Sequence, residues 1–168
     1  MQYTSSEVAK ILRRLNEEHD TLIGQENLGS TFLVAAGEDA ESLRPEYDYA
    51  EMQQALKDNE AKTRRIKHAL NVFNSTHKLP GYDITVDEAL VLIPQLSARK
   101  ARLGSMKNQL PKTRERGMHT GGNIIDYRLT NYDPKDAQRD FEETSAELAA
   151  IQTALDLFNT TEKIELEF

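Results

Sequence analysis

The chain contains no cysteine and no tryptophan, and aromatic residues make up only 7% of its 168 residues. The absence of cysteine excludes disulfide bonds, thiolate catalysis and cysteine-ligated zinc. No apolar run approaches the length of about 20 residues that a membrane helix needs. The first residues also lack the apolar core of a signal peptide. We therefore expect a cytoplasmic protein with no membrane association.

The chain contains an internal repeat. When residues 47–79 are placed above residues 132–164, at an offset of 85, eleven of thirty-three positions are identical. A second correspondence, at an offset of 81, matches the capping box Thr4–Glu7 with the capping box Thr85–Glu88. Each half is therefore predicted to contain a helix, a connector, a second helix and a short tail. We expect one domain, residues 1–168, built from repeats 4–79 and 85–164.

The second helix of each repeat carries a heptad pattern. We predict its start at the N-cap acceptors Asp48 and Asp133, and its end at Asn74 and Asn159. The heptad positions in the first repeat are Met52, Leu56, Asn59, Thr63, Ile66, Leu70 and Phe73. Those in the second repeat are Ala137, Phe141, Thr144, Leu148, Ile151, Leu155 and Phe158. A 3.5-residue period over three heptads is typical of a coiled-coil seam or a long bundle helix.

These patterns predict a mainly α fold, with duplicated helical hairpins in an elongated antiparallel four-helix or coiled-coil bundle. A few short strands are expected in the connectors and the C-terminal tail, at Thr31–Ala36, Asn123–Thr130 and Thr161–Phe168. Pro94 falls inside the third long helix, where it is expected to kink or split that helix.

The charge is unevenly distributed. The net charge is −7, yet residues 99–116 hold seven basic residues and one acid, so this basic segment carries +6 and the remainder −13. The seven basic residues are candidate contacts for an anion or a nucleic acid: Arg99, Lys100, Arg102, Lys107, Lys112, Arg114 and Arg116. No aromatic residue is interleaved to stack bases. A solvated helix face that pairs with an acidic neighbour is the favoured interpretation.

Four polar residues interrupt the apolar stripes: His19, Asn59, Thr63 and Thr144. Buried polar residues in a seam commonly fix its register and oligomeric state. The alternative is a small polar cavity that binds a ligand. We favour the register role.

Two other segments do not match the pattern of a known phosphate-binding or metal-binding site. The glycine-rich stretch 117–123 lacks the Lys-Ser/Thr ending of a phosphate-binding loop and is predicted to be a flexible connector. Asp140, Glu143 and Glu147 share a helix face, but no histidine stands at the Glu-x-x-His spacing of a di-metal bundle. We expect no metal ion and no other cofactor.

Several motifs together resemble the septicolysin-like family of small bacterial coiled-coil proteins of unknown function. They are the acidic connector Gly37–Glu41 and the segments Leu70–Thr76, Thr85–Leu90, Ser97–Leu103 and Ile151–Thr161. The resemblance covers nearly the whole chain and implies a helical fold without catalytic residues. Pro94 departs from the family pattern, in which arginine is typical near this position. The family name implies cytolysis, but the missing secretion signal and membrane segment argue against a lytic role.

The function that we predict is a non-enzymatic structural or interaction protein that self-assembles through its heptad seams. A homo-oligomer is expected, and a protein partner is possible. The first alternative is a protein that binds anions or nucleic acid through residues 99–116. A metal-dependent enzyme and a cytolysin are less favoured.

Overall fold

The structure is a computed structural model that describes residues 1–115 and 126–167. Its elements, in chain order, are β1 (Gln2–Thr4), α1 (Ser5–Gly29), α2 (Ala40–Leu43), α3 (Tyr49–Thr76), α4 (Val86–Lys107), β2 (Lys112–Arg114), β3 (Tyr127–Leu129), α5 (Pro134–Thr161) and β4 (Lys163–Glu165). The predicted mainly α fold with a few short strands is confirmed. The glycine-rich stretch 117–123 and the basic residue Arg116 lie outside the described residues.

The contacts divide the chain into two compact units. Unit 1 comprises Met1–Thr76 and the residues from Phe158 onward, and unit 2 comprises His77–Leu157. In unit 1, α1 packs along α3. In unit 2, α4 meets α5 where a Cβ on Gly104 would lie 3.4 Å from the Phe141 ring. The single domain inferred from the repeats stays a prediction.

The helices α1 and α3 run antiparallel in unit 1. Late in α1, Glu26 accepts a hydrogen bond from Gln53 near the start of α3. Earlier in α1, the carbonyl oxygen of Leu15 accepts one from Asn59, further along α3. The end of α1 therefore contacts the start of α3, and an earlier part of α1 contacts a later part of α3. This is the antiparallel geometry of a helical hairpin.

The helix boundaries follow the sequence repeat. The bounds of α3 and α5 correspond at an offset of 85 at both ends, and the starts of α1 and α4 correspond at 81. Asp48 accepts from the backbone N–H of Glu51 at 3.0 Å, and Asp133 accepts from that of Lys135 at 2.9 Å. Both predicted N-cap acceptors are confirmed.

The heptad positions form the packed face of α3 and of α5. Each of the fourteen is buried or half-buried. The equivalent residues Ile66 and Ile151 are only 2% and 1% exposed. Within unit 1, the equivalent residues Phe73 and Phe158 contact each other, with ring centroids 5.5 Å apart and planes tilted by 44°. The repeated residues therefore contribute to a repeated core.

Short strand pairings close the helical hairpins. The strands β1 and β4 are antiparallel, and Thr4 lies opposite Lys163. In unit 2, Lys78 and Thr85 form an isolated antiparallel bridge. Lys78 is the repeat equivalent of Lys163, and Thr85 that of Thr4. The same pairing of a tail lysine with an N-cap threonine therefore occurs in both units.

The predicted ends of α3 and α5 are wrong, and the helix that contains Pro94 is not split. The helices α3 and α5 do not end at Asn74 and Asn159 but continue to Thr76 and Thr161. Among the described residues, only glycines have positive φ, so neither asparagine forms a left-handed cap. The hydroxyl of Thr76 donates to the carbonyl oxygen of Val72, which lies within the last turn. Pro94 does not split α4, which is continuous from Val86 to Lys107, and the alternative of a kink at Pro94 stays a prediction.

The extended segments are confirmed only in part. Thr31–Ala36 was expected to be a strand, but no strand forms there in the described chain. The prediction for Asn123–Thr130 is met by β3, and that for Thr161–Phe168 by β4. The strands β2 and β3 pair antiparallel as a two-stranded ribbon. Residues 123–125 and Phe168 lie outside the described residues.

The capping boxes are predicted to make stability fall in acid. Hydrogen bonds from the backbone N–H and the hydroxyl of Thr4 hold the pKa of Glu7 below its ordinary value, and Thr85 does the same for Glu88. Because the folded pKa values lie below the unfolded ones, this stabilisation is complete above the unfolded pKa. It is lost as the pH falls through the folded pKa.

We therefore expect the double variant Glu7→Gln/Glu88→Gln to be less stable than the wild type at neutral pH, and the difference to narrow in acid. Urea unfolding midpoints at about pH 7 and about pH 3 test this expectation. A difference that stays the same at both pH values would contradict it.

Candidate functional site

A polar groove lies between α1 and α3 in unit 1. It has a volume of about 550 Å³ and is lined by Asn16, His19, Asn59, Glu60, Thr63, Arg64, Lys67, His68 and Asn71. The volume is within the range of small-molecule sites. The groove unites three of the four predicted polar seam residues, namely His19, Asn59 and Thr63. Thr144, the fourth, is 5% exposed and lies on α5 in unit 2.

Two polar residues of the α3 seam line this groove. Asn59 is 6% exposed, and its Nδ2 donates to the carbonyl oxygen of Leu15 at 3.1 Å. The Oγ1 of Thr63 is buried and, among the described residues, has no hydrogen-bond partner. Hydroxyls elsewhere on the helices, such as Thr21 and Ser145, donate to the carbonyl oxygen four residues earlier. The Thr63 hydroxyl makes no such hydrogen bond, so the free-energy cost of removing it from water is not compensated.

Charged side chains stand beside these polar residues. Arg64, Lys67 and His68 follow one another within about one turn of α3, and all three are exposed. From α1, His19 places its Nε2 3.8 Å from Glu60 Oε1, and its side chain is 35% exposed. The groove thus offers two permanent cations, two imidazoles and one carboxylate. This set can bind an oxyanion through charge-assisted hydrogen bonds.

The second repeat does not carry the same polar lining. At the positions equivalent to Arg64, Lys67 and His68 it has alanine, glutamine and threonine. Leu148, which is 7% exposed, occupies the position equivalent to Thr63. The two repeats share a helical scaffold, but the cationic residues of α3 that line the groove belong to the first alone. Scaffold packing therefore does not require these charges.

The predicted basic segment is divided among different environments. Lys100 and Lys107 of α4 lie over the Phe141 ring, with Nζ 5.9 Å and 3.7 Å from its centroid. Lys112 of β2 lies 4.0 Å from the centroid of Tyr127. Three of the basic residues that were candidate contacts for an anion or a nucleic acid therefore pack against aromatic rings. Cation–π attraction stabilises them there.

Three further basic residues of the segment, within the described ranges, face solvent. Arg99 and Arg102 are exposed on α4, and Arg114 is exposed on β2. Because β2 pairs with β3, Arg114 lies opposite Tyr127, an aromatic neighbour that is distant in the sequence. Arg99 and Arg102 thus lie on an exposed helix face, as the sequence interpretation expects, whereas Lys112 and Arg114 belong to the ribbon.

Exposed apolar side chains concentrate in the two connectors. Connector 1 (residues 30–48) and the helix ends beside it hold Leu28, Phe32, Leu33, Val34, Leu43 and Tyr49. Connector 2 (residues 108–133) holds Leu110, Tyr127 and Leu129. Leu33 is 98% exposed and Leu129 66%. Where exposed apolar side chains form a contiguous patch, the patch marks a site of interaction.

The described ranges contain neither a cluster of metal ligands nor a membrane span. Within residues 1–115 and 126–167, no three histidine, aspartate or glutamate side chains come together as a possible metal site. No helix in these ranges is both long enough and apolar enough to cross a bilayer.

The chain shares its fold with a protein of known structure. No protein-family model and no curated protein matches the sequence. The crystal structure of a functionally unknown conserved protein from Corynebacterium diphtheriae matches 98% of this chain and 100% of its own, with a TM-score of 0.62 and 12% identity. At this identity the likeness shows the fold alone. The resemblance to the septicolysin-like family stays a prediction.

Proposed function

We propose that the protein is a non-enzymatic interaction protein that self-associates through its connectors. The observation that carries this proposal is the concentration of exposed apolar side chains there, among them Leu33 in connector 1 and Leu129 in connector 2. Apolar side chains in these positions are stabilised when another surface removes them from water. The ribbon of β2 and β3 also favours a partner, because an isolated two-stranded hairpin is marginally stable in water.

Charge supports a second copy of this chain as the partner. Connector 1 contains five acids and one arginine, so it carries a net charge of −4, while the basic segment carries +6. Connector 1 of one copy would then bind the basic segment of another, with Arg99, Arg102 and Arg114 exposed for this contact. In a two-fold dimer each copy would contribute both surfaces.

This proposal assigns the heptad seams to packing within the chain. Leu56 and Leu148, which are central seam residues of the two repeats, are each only 7% exposed. They offer little apolar surface to another copy in this conformation. Self-assembly through the seams stays a prediction. The chromatography experiment described next distinguishes it from assembly through the connectors.

Size-exclusion chromatography with light scattering tests the proposed assembly. The wild type is expected at low salt as a multiple of its 19.1 kDa chain mass. The double variant Leu33→Ser/Leu129→Ser is expected to shift toward 19.1 kDa. High salt is expected to weaken the wild-type assembly because the attraction between connector 1 and the basic segment is screened.

A matched control uses exposed apolar residues on the helices. Val72 and Val91 are 46% and 57% exposed, and the double variant Val72→Ser/Val91→Ser is expected to keep the wild-type mass. A wild-type mass of 19.1 kDa at all concentrations would overturn self-association. An assembly that survives the connector substitutions would instead favour the seams.

Nucleic-acid binding through the basic segment is the second candidate. Tyr127, placed beside Lys112 and Arg114 on the ribbon, favours it, since aromatic and basic side chains together bind single strands. Absorbance at 260 nm in the same chromatography distinguishes the two. Excess absorbance that high salt removes, and that Arg99→Glu/Arg102→Glu abolishes, would favour nucleic acid over a second copy.

A further inference from the structure

We infer that the polar groove of unit 1 is a binding site for a small organic oxyanion, a molecule that carries a carboxylate or phosphate group. This inference is independent of self-association, because the groove residues lie on α1 and α3 and not in the connectors. Nothing in the proposed assembly uses them.

The cationic side chains give the groove its preference for an anion. Arg64 and Lys67 are permanently charged, and His68 follows directly on the same turn of α3. Arginine presents a planar fork of N–H donors that matches two oxygens of a carboxylate or phosphate, and lysine adds a mobile point charge. Glu60 is the only acid in the lining. It can accept a hydrogen bond from a hydroxyl or amino group on the same ligand.

The unpartnered hydroxyl of Thr63 is a second observation that points to a ligand. Its Oγ1 is buried and has no partner among the described residues, although it belongs to the groove lining. The second repeat has a buried leucine at the equivalent position, so the scaffold accepts an apolar side chain there. A ligand oxygen that accepts from Thr63 would compensate the cost of the buried hydroxyl.

The cationic lining is confined to one repeat. Exposed charges of α3 outside the groove differ between the repeats as well, since Glu142 and Ala150 stand at the positions equivalent to Lys57 and Arg65. The second repeat replaces Arg64, Lys67 and His68 by uncharged residues while it keeps core residues such as Ile151. The shared scaffold therefore does not depend on these three side chains, which leaves them available to bind a ligand.

Isothermal titration calorimetry of the full chain, once with inorganic phosphate and once with citrate, tests the inference. We expect saturable heat with at least one of them, and an increase in melting temperature with the same anion. Binding of phosphate alone would identify a phosphorylated ligand, and binding of citrate alone a carboxylated one. No heat and no change in melting temperature with either anion would overturn the inference.

Two groove variants and one control locate the binding. Arg64→Ala/Lys67→Ala is expected to weaken binding by about tenfold or more. Thr63→Val is expected to weaken binding while it leaves the melting temperature of the unliganded protein unchanged or higher. Lys57→Ala/Arg65→Ala removes the same charge from exposed positions of α3 outside the groove, and is expected to keep wild-type affinity.

An equal loss in the control and in the groove double variant would show general charge attraction and would overturn the assignment to the groove. Because Arg64 and Lys67 are exposed, their replacement should leave the fold intact. Circular dichroism and the melting temperature of each variant confirm that folding is preserved before the affinities are compared.

Discussion

Replacing Ile66 or Ile151 by alanine is expected to lower the free energy of unfolding by about 2–5 kcal/mol in each case. These residues are equivalent positions of the two repeats, and each is almost completely removed from water. Truncation removes buried methyl groups and leaves a cavity that the packed helices close only in part. Since Ile66 belongs to unit 1 and Ile151 to unit 2, the two variants test the repeated core separately.

Urea unfolding followed by circular dichroism measures both variants. If the units unfold in separate transitions, Ile66→Ala should move one transition and Ile151→Ala the other. Val72→Ala and Val91→Ala serve as controls on exposed helix positions, with expected changes within about 0.5 kcal/mol. A cost below about 1 kcal/mol for either isoleucine would contradict the assignment of that helix face to the core.

The helices could be predicted because the sequence patterns that define them are local and occur in both repeats. The Thr4–Glu7 and Thr85–Glu88 boxes form within four residues, and the heptads of α3 and α5 repeat over three periods. The helix ends were less predictable, because Asn74 and Asn159 are compatible with a helix interior as well as with a cap. Thr76 extends the helix by bonding its hydroxyl back to Val72.

Features that depend on distant residues were not predictable in the same way. The strand β1 has only three residues, and its partner β4 comes from the opposite end of the sequence. Phe32, Leu33 and Val34 are three consecutive apolar residues, and this local pattern predicted a short strand at Thr31–Ala36. The structure leaves Leu33 almost completely exposed, so the local pattern carried no information about its surroundings.

The sequence predicted the polar seam residues of the candidate groove but not its charged residues. His19, Asn59 and Thr63 stood out because they interrupt apolar stripes. Arg64 and Lys67 gave no such signal, since charged residues on the outer face of a helix are ordinary. Only the packing of α1 against α3 brings them together with the seam residues. A comparison of the two repeats, position by position, could have revealed that these charges occur in only one copy.

Asn59→Asp is expected to destabilise the protein by about 3–5 kcal/mol at neutral pH, the cost of a buried negative charge placed against a carbonyl oxygen. Asn59 is buried, and its Nδ2 donates to the carbonyl oxygen of Leu15. A carboxylate has no donor to replace this amide, so it would place a negative oxygen against another acceptor. Burial would also raise the pKa of the introduced carboxyl group above its unfolded value.

The sign of the pH dependence follows from that raised pKa. The destabilisation is largest above the folded pKa, where the charged form is buried, and it shrinks as the pH falls and the carboxyl group is protonated. Urea unfolding at neutral and acidic pH measures this change. Asn71→Asp introduces the same charge at an exposed position of α3, and its expected cost is within about 0.5 kcal/mol. Equal costs at the two asparagines would mean that the Asn59 amide does not hold α1 against α3.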